Sequence, residues 1–339
     1  MTRAALAFLL ALLASCSGAV EAPSELATPS EPLVWPPPPE QPRIKFLYAF
    51  REPKDLGFRV SLFGRLWDLI AGEETREMIR PYALAVDQNS VAVADPGARV
   101  VHLYDMRAQE YARIEKAGGD VLVSPVGVAL GPERIYVADS ALGKVFAFGP
   151  EGALAFTIEG LRRPTGLAYD AGANRLYVAD TLAHRIVVFD DGGEKLFSFG
   201  RRGTGRKEFN YPTHISVSAD RLYVNDTMNF RLQVFDLDGA FRASFGTHGD
   251  GSGDLAQPKG VAVDAEGDVY LVDALFNRVQ IFDSNGRFLL AFGAEGTNVG
   301  SFWLPSGMFI ARDRIYVADS YNRRVQVFQF LGGGQSPPS

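Results

Sequence analysis

From residue 43 onward, apolar and polar positions alternate with a period of two, in short runs broken by Gly, Asn and Asp. Four such runs succeed one another in Gly260–Asp264, Asp268–Asp273, Arg278–Asp283 and Phe288–Phe292. Glu266-Gly267 turns the first run into the second, and Asn285-Gly286 is a strong hairpin signal between the last two. Period-two runs of about five residues bounded by turn residues predict β-strands. Two stretches depart from this pattern. Ala4–Ala14 is an unbroken apolar run, and between Arg51 and Arg80 the residues Leu62, Phe63, Leu66, Trp67, Leu69 and Ile70 recur at helical spacing. The second stretch predicts a short amphipathic helix within about residues 55–75, covering a face of the folded body or meeting a partner.

The four-run unit repeats. Segments starting at Pro81, Pro125, Pro164, Pro212, Pro258 and Pro305 share one order: Pro, an apolar run, a short turn, a run ending in Asp, a short loop, then Arg or Lys opening a third run. The aspartates are Asp95, Asp139, Asp180, Asp226, Asp273 and Asp319, separated by 44, 41, 46, 47 and 46 residues. Four strands in a repeat of about 40–45 residues specify a propeller blade, so the chain is predicted to be an all-β, six-bladed β-propeller. The sixth unit ends at Val325–Phe330 without a fourth strand, and Arg43–Phe50 reads as the missing one. An amino-terminal strand that completes the last blade closes the ring and removes an open edge. The propeller is therefore placed at residues 43–331, with 332–339 as a disordered tail.

The phrases Asp226-Thr-Met-Asn-Phe-Arg231, Asp319-Ser-Tyr-Asn-Arg-Arg324 and Asp180-Thr-Leu-Ala-His-Arg185 resemble the NHL-repeat family. Blades 1 and 2 depart most, reading Asp95-Pro-Gly-Ala-Arg99 and Asp139-Ser-Ala-Leu-Gly-Lys144. The resemblance implies a rigid ring with variable loops that binds a protein, peptide or other ligand. Other six-bladed relatives are calcium-dependent lactonases and a zinc-dependent lyase, which keeps a metal-dependent hydrolase or lyase at the axial channel as the alternative.

The amino terminus changes the picture. Arg3, the apolar run Ala4–Ala14 and the small residues before Cys16 follow the order of a secretory signal. As a helix, that run spans roughly 16 Å, short of a hydrocarbon core of about 30 Å. Leu13-Ala14-Ser15-Cys16 resembles the bacterial lipobox, which implies a signal peptide over 1–16 and lipid attached to Cys16. In a Gram-negative host, Ser17 after the cysteine is consistent with sorting to the outer membrane. Residues 17–42 are rich in proline, including Pro36–Pro39, and predict an extended spacer. The expected location is the cell envelope, with the membrane reached through the lipid.

Composition narrows the chemistry. A net charge of −6 in 339 residues lacks the basic footprint of nucleic-acid binding. Cys16 is the one cysteine, so an intrachain disulfide is impossible. The histidines His102, His184, His214 and His248 are scattered. No Gly-x-Ser-x-Gly elbow is present, and the glycine-rich stretches 200–205 and 246–253 precede strands, not a helix. No cofactor is implied, though calcium is held open and the metal-dependent alternative would take calcium or zinc, and a monomeric propeller is expected.

Repetition at equivalent positions marks the six Asp, the six basic residues (Lys144 in blade 2, Arg elsewhere) and the five Tyr as structural, with Asp accepting loop hydrogen bonds. Function is expected where the repeat breaks. His214 replaces the glycine of Gly127, Gly166, Gly260 and Gly307, and Asn225 replaces a small apolar residue. In the hairpin register these two lie nearly opposite each other at the axial mouth, either as a local pair or as a ligand or ion contact. The loops after the repeat Asp carry Leu142, Leu182, Met228, Phe230, Leu275, Phe276 and Tyr321. If exposed together, they form an apolar collar for a protein or peptide partner.

Overall fold

Side chains alternate across each predicted run, so each strand buries both faces only when sheets stack on either side of it. A computed structural model describes residues 29, 31–58, 76–150 and 152–332. The expected signal with Cys16, half of the expected spacer, the apolar insertion over 59–75 and the tail from 333 lie outside the described residues.

The described chain forms six antiparallel sheets arranged as blades. Blade 1 is Ala83–Val86, Ser90–Asp95, Val100–Asp105 and Glu110–Ile114. Blades 2 to 5 repeat the four-strand meander over 125–158, 164–199, 212–245 and 258–292. The first strands of neighbouring blades touch all the way round, so they line the axis. Gly260 and Gly307 sit where a Cβ would come within 2.6 Å of the next blade's inner backbone, which is why the repeat has glycine there.

Blade 6 has strands Met308–Ala311, Arg314–Asp319 and Arg324–Phe330, and its fourth strand is Ile44–Phe50. The closing pair is antiparallel, from Ile44 opposite Phe330 to Phe50 opposite Val325. The ring is shut by the amino-terminal strand, as the repeat count requires. The folded body starts earlier than residue 43. Val34–Trp35 adds a fifth strand against Ile44–Lys45, and the Trp35 ring lies 5.9 Å from Phe292 and 5.8 Å from Phe328. Part of the expected spacer is thus packed onto blade 6, because an aromatic side chain next to an open edge gains more by burial than by exposure.

The core is divided among the six blade-to-blade interfaces. One layer joins Tyr136 and Val145 of blade 2 to Leu176 and Val187 of blade 3, and each of the other interfaces has its own layer. Repeat tyrosines cross these interfaces. Tyr136 Oη donates to Asp191 at 2.8 Å, and Tyr177 Oη donates to the Leu237 carbonyl at 2.7 Å.

Candidate functional site

The six repeat aspartates are fully buried. Each accepts backbone N–H groups from the loop before its blade's proline: Asp95 from Ile79 and Arg80, Asp139 from Val123 and Ser124, Asp180 from Arg162 and Arg163, and Asp273 from Ala256 and Gln257. Asp226 and Asp319 do the same for Asn210 and Trp303. This staples two loop sets onto one face. The basic repeat residue behaves less uniformly. Arg185, Arg231 and Arg324 pair with their aspartates at 2.8–3.0 Å, whereas Lys144 turns to Asp120 and Glu159. Arg278 stacks over Phe276 at 4.5 Å, and in blade 1 buried His102 approaches Asp95 at 3.5 Å.

The loop face carries an apolar collar. Leu182, Met228 (51% exposed), Leu275 (58%) and Tyr321 (48%) follow the repeat aspartates. Ile79, Val123, Tyr211 and Trp303 stand exposed in the loops before the prolines. Every blade contributes, and Trp303 and Tyr321 meet at 5.7 Å between ring centroids. Phe230 and Phe276 are half-buried within their loops, Phe230 against His248 at 4.2 Å and Phe276 under Arg278. The collar therefore consists of Leu182, Met228, Leu275 and Tyr321 with residues from the preceding loops, and the two phenylalanines brace it.

His214 and Asn225 lie near each other but do not pair. Pro212 is opposite Asp226 and Ile215 opposite Val224, so Thr213 and His214 form a bulge across from Asn225. No hydrogen bond joins the two side chains. Asn225 Nδ2 donates to the Lys259 carbonyl at 2.5 Å, in the next blade. That carbonyl is the one a glycine would approach closely in other blades. At the equivalent points Gly260 N–H donates to Ser306 O and Gly307 N–H to Tyr82 O. With His214 wedged in, Asn225 supplies the donor. This explains both departures from the repeat together.

The His214 ring lines an axial cavity of about 150 Å³ walled by inner strands of all six blades, and it stacks on Tyr82 at 5.4 Å and 30°. Burial, reinforced by the charge of Lys259, pushes its imidazole down to about 3, so it is neutral at pH 7. Nδ1 contacts Thr213 Oγ1 at 3.2 Å, while buried Nε2 and Asn225 Oδ1 have no partner among the described residues.

Above this cavity, the axis opens on the loop face into a second one of about 300 Å³. Arg80, Arg163 and Lys259 line it, together with Tyr82, Ser124 and Ser140, and no carboxylate is among its lining residues. Lys259 Nζ lies 5.4 Å from the centre of the Tyr82 ring. Burial and the neighbouring charge of Arg80 push the Lys259 ammonium down to about 8. A larger groove of about 620 Å³ lies elsewhere, between blades 6 and 1, where Asp87 and Asp313 accompany Arg312 and Arg314. Among the described residues, no three His, Cys, Asp or Glu side chains converge as a metal site.

The basic mouth was not apparent from the sequence. Its three cations flank the repeat prolines Pro81, Pro164 and Pro258, at positions that vary from blade to blade. Aligning the residues beside each proline would have put two arginines and a lysine in adjoining columns.

A family described as a 6-bladed beta-propeller matches residues 210–289, and one described as an NHL repeat matches 161–189. The protein is a six-bladed β-propeller with an NHL-repeat match at residues 161–189. No curated protein matches the sequence. The propeller is similar to a protein of unknown function from Bacteroides thetaiotaomicron VPI-5482 at 15% identity, covering 76% of this chain and 70% of that one, with a TM-score of 0.59. It is also similar to an auxiliary nutrient binding protein of the same organism, at 13% identity, 75% and 70% coverage and a TM-score of 0.59. A catalytically inactive virginiamycin B lyase from Staphylococcus aureus, solved with quinupristin, shares 13% identity and covers 77% of this chain and 82% of its own, with a TM-score of 0.57. At these identities the likeness shows the fold alone.

Proposed function

We propose that the propeller is a membrane-tethered, non-catalytic binding scaffold of the cell envelope, anchored by lipid on Cys16 and holding a protein or peptide on its loop face. In a Gram-negative host the membrane is the outer one. The observation that carries this reading is the collar, with exposed apolar side chains from all six blades gathered on loops pinned by buried aspartates. Large contiguous apolar patches on a soluble body mark interaction sites, and a stapled face loses little entropy on binding. Among the described residues no helix is long and apolar enough to cross a membrane. The metal-dependent lyase reading draws on the lyase among the similar structures, which bears on the fold only.

A photo-crosslinking residue placed at Met228 or Leu275 of the full-length protein in cells should capture the same partner. The same residue at Leu196, exposed on the outer strand of blade 3, should capture none. Equal capture from all three positions would refute the loop-face assignment. Cys16→Ser should move the protein from the membrane fraction to the soluble fraction.

A further inference from the structure

We propose that the axial mouth on the loop face is a binding site for a small, multiply charged oxyanion such as a phosphate ester or a polycarboxylate, gripped by Arg80, Arg163 and Lys259. This assignment does not depend on a protein partner, because the mouth lies inside the collar and has its own chemistry.

Three cations open into one cavity of about 300 Å³, with no carboxylate among its lining residues. None of the three side chains forms an ion pair among the described residues. The nearby repeat carboxylates are turned away, Asp95 toward the backbone N–H groups of Ile79 and Arg80 and Asp180 toward those of Arg162 and Arg163. Like charges brought together and partly desolvated destabilise a fold unless something neutralises them. Among the described residues none does. Lys259 shows the effect, its ammonium held down by burial and by Arg80.

The donors suit an oxyanion. Two guanidinium groups can each grip a pair of oxygens, and the ammonium adds a point charge. Ser140 Oγ donates to Ser124 Oγ at 3.1 Å, which leaves the Ser124 hydroxyl proton free for an acceptor. The floor is the Tyr82 ring, stacked in turn on neutral His214, whose buried Nε2 lacks a partner. Three cations favour at least a dianion over a single carboxylate. The overall charge of −6 and the confinement of the basic groups to one cavity favour a small ligand over a polymer of phosphates.

Calorimetry on the full-length protein in detergent at low ionic strength, with pyrophosphate and sulfate as probes, tests the assignment. Saturable one-to-one binding is expected. Arg163→Gln and Lys259→Gln should each weaken it about tenfold, whereas Lys195→Gln, on an exposed outer strand, should leave it unchanged. Arg163 is exposed, so its variant remains informative if Lys259→Gln fails to fold. Sulfate keeps its charge across the range, so its affinity should fall above pH 8 as Lys259 loses its proton beside Arg80, Tyr82 and His214. Lys259→Arg should keep the affinity and remove that fall. Met228→Ser with Leu275→Ser should leave anion binding intact while abolishing partner capture, which separates the two proposals. No saturable binding, or equal weakening by Lys195→Gln, would overturn the site.

Discussion

His214 stands where its counterparts are glycine, and its neutrality has a measurable cost in acid. Its imidazole is held at about 3 in the fold against 6.5 in the free state. Below about pH 6.5 the unfolded chain takes up a proton that the native state refuses. Stability from this residue is therefore lost as pH falls through the window from about 6.5 to about 3, and it is unaffected above. Between pH 7 and pH 4.5, the native protein should lose about 2 kcal/mol more than a His214→Gln variant, read from urea midpoints at the two values. Equal losses would mean the ring is hydrated and ordinary. That His214 breaks the repeat was legible from the sequence, but its neutrality was not. Burial in a cavity walled by all six blades is the main cause, with the charge of Lys259 in the next blade added, and neither can be read from one repeat.

Within blade 4, His214, on a bulge that blades 3 and 5 share, and the side chain of Asn225 act as one device. The histidine interrupts the close backbone approach that glycine allows, and the asparagine restores the lost hydrogen bond to Lys259 O. Asn225→Ala alone should cost about 1–3 kcal/mol, because it strands a buried carbonyl. Adding His214→Gly should return much of that loss by recreating the arrangement of the other blades. The double-mutant cycle should then show a coupling of at least about 1 kcal/mol, and thermal melts of the four proteins would measure it. Additive losses would mean the two positions are independent. The strands themselves were easily read, since alternation and turn residues fix each meander. The nearness of the two exceptions was also visible in the register, yet the hydrogen-bond partner of Asn225 was not. Asn225 bonds to a residue 34 positions away, in the neighbouring sheet.

Across the whole molecule, the blade count and the closure followed from one missing strand. The docking of residues 33–35 did not, because proline on either side masks a two-residue strand whose reason to fold is a remote aromatic cluster. Closure should dominate stability. Removing residues 1–30 should leave the melt sharp and single. Deleting through Phe50 exposes the long edge Arg324–Phe330 and should replace that melt with aggregation, seen as loss of the monomer peak on gel filtration. A sharp melt after the longer deletion would show that five complete blades and an open sixth suffice.

The edge strand Val34–Trp35 also decides how mechanical load enters the ring. A pull on the leading residues meets this short pairing with Ile44–Lys45 before it meets the seam with Arg324–Phe330. Peeling two residues frees slack while the seam stays intact. The propeller thus carries a sacrificial clasp between any pull on its amino-terminal residues and the joint that keeps its circle whole.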